Sequence, residues 1–111
     1  MAQVTLSEKK HPAKLTVRLG DTVVVRLSEN SSGGYRWTLT SVNSARLELI
    51  EHRYVPTRAG VGSAGASVWK FAPKKAGRTR LVLKKLRPWS PSAPAGEPFA
   101  VSLEVVARRG I

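Results

Sequence analysis

Apolar residues recur along this chain with a period of two. Leu15, Val17 and Leu19 alternate with Lys14, Thr16 and Arg18, and Phe99, Val101, Leu103 and Val105 alternate with Ala100, Ser102 and Glu104. Tyr35, Trp37 and Leu39 flank Arg36 and Thr38, Trp69 and Phe71 flank Lys70, and Leu81 and Leu83 take the face opposite Val82 and Lys84. Successive side chains of a strand point to opposite sides, so each run has one apolar face and one solvated face, the pattern of half-buried antiparallel strands. The run Thr22-Val23-Val24-Val25-Arg26-Leu27 is more continuously apolar and β-branched, as suits a central strand.

Turn chemistry separates the runs. Gly20-Asp21, Ser31-Ser32-Gly33-Gly34, the glycines from Gly60 to Gly65 and Lys75-Ala76-Gly77 each interrupt the alternation. Only Ser41 to Glu51 has room for a helical turn, and Leu47 to Val55 reads mainly as a strand. Seven or eight short antiparallel strands joined by short turns predict an all-β, immunoglobulin-like sandwich occupying residues 1–111 as one domain. The 111 residues include no cysteine. The two sheets must therefore hold by packing, with Trp37 and Trp69 at the centre, and thiolate catalysis and thiolate metal sites are excluded.

The formal net charge is +12, which raises nucleic acid, an anionic membrane or an acidic protein as partners. The basic residues are spread along the chain in runs of no more than two, such as Lys84-Lys85, and several alternate with apolar residues. A solvated basic surface is the simpler reading, with nucleic acid or another acidic partner as the alternative. No apolar stretch approaches the ~20 residues of a membrane span. The N-terminal Met1-Ala2-Gln3-Val4-Thr5-Leu6 lacks the basic and apolar regions of a signal peptide. A periplasmic or secreted protein whose signal had been removed would look the same, so the compartment stays open. No enzyme is expected. His11 and His52 have no carboxylate or nucleophile at a recognisable spacing, and Glu48 and Glu51 should face opposite ways on a strand. No metal cluster and no cofactor motif is present.

Three segments carry the unusual chemistry. Arg87-Pro88-Trp89 opens the proline-rich stretch up to Pro98, which should be stiff and outside regular structure. Trp and Arg are common at binding hot spots, and a loop Trp is either an exposed anchor or folded back over a sheet edge. Asn30-Ser31-Ser32-Gly33-Gly34-Tyr35 is a small-residue loop whose paired glycines leave the backbone bare for close approach. Ala59 to Ser67 is almost devoid of side chains and suits either a flexible hairpin or a backbone docking strip.

In their order and spacing these segments resemble the chagasin family of cysteine-peptidase inhibitors, whose pattern is Asn-Pro-Thr-Thr-Gly-aromatic, then Gly-x-Gly-Gly, then Arg-Pro-Trp. Here the corresponding residues are Asn30, Ser31, Ser32, Gly33, Gly34 and Tyr35; Gly62, Ser63, Ala64 and Gly65; and Arg87, Pro88 and Trp89. Leu15-Thr16-Val17 before Gly20, Tyr35-Arg36-Trp37, and Lys75-Ala76-Gly77 add to the match, which covers nearly the whole chain. The resemblance implies a monomeric immunoglobulin-like sandwich with three loops (30–35, 60–66 and 87–91) clustered at one end. It implies reversible blocking of papain-like cysteine peptidases of the papain or cathepsin L type, without cofactor or metal. Ser32 would lie closest to the catalytic cysteine, the glycine loop would run along the cleft, and Trp89 would pack on the enzyme. Three positions depart from the pattern. Ser31 replaces proline, so the first loop gives up more entropy on ordering. Gly33 replaces the second threonine and removes a side chain that would help fix that loop. Ala64 replaces a glycine of the second segment, excluding some positive-φ conformations.

Overall fold

The computed structural model describes residues 2–8, 13–30, 35–56, 64–87 and 89–107. The alternating runs form eight strands: β1 (Gln3–Ser7), β2 (Lys14–Arg18), β3 (Thr22–Asn30), β4 (Arg36–Ser41), β5 (Leu47–Pro56), β6 (Ala64–Pro73), β7 (Gly77–Arg87) and β8 (Ser90–Val106). They make two four-stranded sheets, ordered β1-β3-β6-β5 and β2-β8-β7-β4. The apolar phase of each run faces inward. Val23, Val25, Leu27, Trp69 and Phe71 from the first sheet meet Trp37, Leu81, Leu83, Phe99, Val101 and Leu103 from the second. Burying one such side chain is worth about 1.5–3 kcal/mol, so this shared layer holds the sheets without a disulfide. Trp37 and Trp69 are both buried in it, as the sequence predicts.

The strands are not all antiparallel. β1 pairs parallel to β3 (Gln3 with Thr22, Leu6 with Val25), and β2 pairs parallel to β8 (Lys14 with Ser102, Val17 with Val105). Both are edge strands, and β1 and β2 lie in different sheets although they follow one another in sequence. A crossover between sheets, rather than a hairpin, sets their direction. Between β4 and β5 the chain makes a turn at 44–46 and no helix.

The proline-rich stretch is also a correction. Ser90 to Pro98 is not outside regular structure but is the first half of β8, paired to β7 through Lys85 with Ala95 and Arg87 with Ser90. On its other side β8 meets β2 from Ser102 onward, and among the described residues the first half of β8 has no strand there, so it is an edge, where missing N–H donors cost little. Register shifts flank Lys85, and Gly96 takes φ +67°, the left-handed conformation that suits glycine at such a bulge.

Pairing at the strand ends fixes the end that carries the three motifs. The last residue of β3 pairs with the first of β6 (Asn30 with Ala64), and the last of β5 pairs with Gly65. In the second sheet, Arg36 at the start of β4 pairs with Leu86, and Arg87 pairs with Ser90. The two sheets meet at this end through Trp37, whose indole N–H donates to the Ser28 carbonyl at 2.9 Å.

Candidate binding site at one end of the sandwich

Residues 88 and 89 are the two positions between the paired Arg87 and Ser90, so Trp89 sits at the tip of a tight hairpin. It is 70% exposed, the most exposed of the large apolar side chains among the described residues. Its exposure answers the question left by the sequence, because the ring is not folded back over the sheet. The Arg87 guanidinium carbon lies 4.2 Å from the centroid of Tyr35 and 5.8 Å from that of Trp89. A planar cation between two ring faces is attracted to both, at about 0.5–1 kcal/mol each when exposed. Arg87 thereby joins the aromatic residue of the first motif to the aromatic residue of the third.

The base of the first segment is clamped from below. Glu29 continues the inward phase of Val23, Val25 and Leu27 and is buried. Its Oε1 accepts the backbone N–H of Trp37 at 2.8 Å, so one carboxylate ties the strand entering residues 31–34 to the strand leaving them. The Lys85 ammonium stands 5.3 Å from the centroid of the Trp37 ring. Sequence reasoning missed Glu29. The available signal was a carboxylate in the core-facing phase of an apolar strand, which demands a partner.

The second motif enters the sheet. Ala64 and Gly65 are the first residues of β6, and Gly65 pairs with Glu29 on one side and Pro56 on the other. Gly65 is buried beneath Tyr54. A Cβ built there would run into the Tyr54 hydroxyl and lie 2.7 Å from the Val55 carbonyl oxygen. Glycine here permits a close approach within the fold. Ser31, Ser32, Gly33, Gly34, Gly62, Ser63 and Pro88 lie outside the described residues, and of Asn30 only the backbone is placed.

Beside this end, His52 stacks on Trp69 with centroids 3.6 Å apart and planes 13° from parallel, and its Nε2 lies 3.1 Å from the Ser67 hydroxyl. Burial holds its pKa below the usual 6.5, with the Glu29 charge acting weakly the other way. An open groove of about 430 Å³ lies between Trp37, Leu86 and Arg87 on one sheet and His52 and Trp69 on the other. Glu48 and Glu51 correct a second expectation. A register shift between Leu49 and Glu51 adds a residue, so both carboxylates lie on the outer face, paired in register with Ala72 and Lys70. Each is engaged by lysine, Glu48 by Lys74 at 3.4 Å and Glu51 by Lys70 at 3.5 Å.

A two-sheet sandwich with an exposed Trp and a stacked Arg at one end is an immunoglobulin-like domain. The chain belongs to the chagasin family. The family model described as chagasin family peptidase inhibitor I42 matches residues 16–103. The chain is 30% identical over 98 residues to chagasin of Trypanosoma cruzi, covering 83% of this chain and 88% of that one. It is 27% identical over 92 residues to amoebiasin-1 of Entamoeba histolytica, covering 81% and 88%. The fold is similar to that of the cysteine protease inhibitor EhICP2 from Entamoeba histolytica, with a TM-score of 0.83, 23% identity, and 95% and 96% of the two chains covered.

Proposed function

We propose that this protein reversibly inhibits papain-like cysteine peptidases by laying segments 30–35, 60–66 and 87–91 into the active-site cleft. The observation that carries this reading is the stack of Tyr35, Arg87 and the exposed Trp89, which makes one surface from two motifs far apart in the chain. A papain-like enzyme uses a low-pKa thiolate and needs an extended substrate carbonyl placed against it. Ser32, flanked by small residues, would sit over the thiolate as a polar wedge without offering a peptide bond in attack geometry. Gly62, Ser63 and Ala64 would follow the cleft, and Gly65 would act from within the sheet by holding their strand against Tyr54. Trp89 is the flanking anchor, and Arg87 orients it. A net charge of +12 favours fast encounter with acidic enzymes, an effect that salt weakens.

Titration of papain and a cathepsin-L-like peptidase with the protein tests the proposal. Residual activity should fall with added protein and return on dilution. Full activity of both enzymes at micromolar protein would contradict it.

A further inference from the structure

The two outer faces of the sandwich are charged differently. On the first sheet, two of the three outer strand cations, Arg53 and Lys70, contact the Glu51 carboxylate at 2.9 and 3.5 Å, Arg26 being the third, and Glu48 takes Lys74. On the second sheet, strand alternation places Lys14 and Arg18 of β2, Arg78, Arg80 and Lys84 of β7, and Arg36 of β4 on the outer side. Among the described residues, strand alternation places Glu104 of β8 as the carboxylate in their midst, with Glu97 further along β8. Among the described residues, none of these six cations is in an ion pair. In sequence they are scattered. The parallel pairing of β2 with β8 and the antiparallel pairing of β8 with β7 bring Lys14, Ser102 and Arg80 into one row and Thr16, Glu104 and Arg78 into the next.

These two rows border a shallow groove of about 500 Å³ floored by Leu15, Thr79 and Leu103. Its cations stand on strands two apart, about 10 Å across the face, and successive outward residues along a strand are about 7 Å apart. We propose that this face binds a sulfated polysaccharide chain, with sulfates against Lys14, Arg78 and Arg80 and sugar hydroxyls against Thr16, Ser102 and Glu104.

The chemistry of the groove selects that occupant. Glu104 accepts hydrogen bonds from sugar hydroxyls, which a polysaccharide carries along its whole length. The described residues of the face include no aromatic ring on which bases would stack, and no helix that would enter a duplex groove. Among the described residues the face carries no large exposed apolar side chain to enter a bilayer. It lies on the side of the sandwich, away from the hairpin tip that carries Trp89, so both surfaces can be occupied together.

Binding of a heparin decasaccharide by calorimetry, at two salt concentrations, tests the proposal. The decasaccharide should bind, and raising the salt should weaken it. The triple variant Lys14→Gln, Arg78→Gln, Arg80→Gln should lose about tenfold or more in affinity, the sum of three exposed charge contacts. The variant Arg26→Gln, Arg53→Gln, Lys70→Gln removes equal charge from the other sheet and should bind as the parent does. Both triple variants should inhibit papain as the parent does, which separates failure here from failure of the inhibitor proposal. Equal losses in the two variants would overturn it by making net charge alone responsible. So would tighter binding of a single-stranded RNA of matched charge, or of vesicles containing anionic phospholipid, and so would equal binding of a desulfated decasaccharide.

Discussion

The two ends of the sandwich are held by different chemistry. At the end away from the motifs, polar groups meet in fixed hydrogen bonds. The Asp21 carboxylate accepts the N–H of Ala2 at 3.1 Å and of Arg18 at 3.0 Å, Thr22 N–H donates to the Ala2 carbonyl at 2.9 Å, and the Arg46 guanidinium donates to the Ala76 carbonyl beside Gly77. At the motif end, a cation lies between rings and a tryptophan is left outside. Hydrogen-bonded turns use up their polar groups internally. A stack of Tyr35, Arg87 and Trp89 leaves the Trp89 ring exposed to solvent, and desolvating such a ring on contact is where hot-spot energy arises. The first end closes the fold, and the second is the end that the proposed function assigns to the peptidase.

The sharpest way to break this comparison is to remove the ring. Trp89→Ala should weaken papain inhibition by at least about 2 kcal/mol, roughly 30-fold, with the melting temperature unchanged because the side chain is exposed. Loss of folding instead would make Trp89 a structural residue. A smaller effect on inhibition and a larger one on stability are expected for Gly65→Ala. The added methyl meets Tyr54 and the Val55 carbonyl, and denaturant titration should show a loss of about 1–3 kcal/mol. An unchanged midpoint would mean that Tyr54 moves aside freely.

The smallest effect separates the ends by pH. His52, near the motif end, has its pKa lowered from 6.5 by burial, so the unfolded chain takes up the proton first and stability falls as pH drops below that value. Asp21, at the other end, has its pKa lowered from 3.8, chiefly by the N–H groups of Arg18 and Ala2. Its contribution is therefore present above 3.8 and lost only in stronger acid. Thermal melts at pH 7.5 and 5.5 should show a decline in the parent that His52→Gln abolishes and Asp21→Asn leaves in place.

Most of the fold was written in the alternation. The strand expected over Leu47 to Val55 runs from Leu47 to Pro56, and the inward phase of β3, β6, β7 and β8 is the core. What escaped depends on partners that are distant in sequence. The parallel direction of β1 and β2 follows from a crossover, and nothing within either five-residue strand records it. Prolines 91, 94 and 98 fall in the half of β8 that, among the described residues, has a strand neighbour on one side alone, a property of the sheet as a whole. The side-by-side placement of Glu48 and Glu51 rests on one bulged residue, and a shift of one reverses every face beyond it. At the motif end, the sequence motifs single out Trp89 and Tyr35, but the stack through Arg87 and the clamp by Glu29 appear only when strand ends meet.

The central claim is that the peptidase meets the motif end and nothing else. Amide and indole resonances of the labelled protein, recorded with and without papain whose cysteine is blocked by a small reversible modifier, test it directly. The account predicts shifts concentrated at 30–35, 62–65 and 87–89, with the Trp89 indole N–H among the largest and Gly20, Asp21 and 74–77 unmoved. Shifts centred on the Asp21 turn or on either sheet face, with the Trp89 indole unchanged, would contradict it.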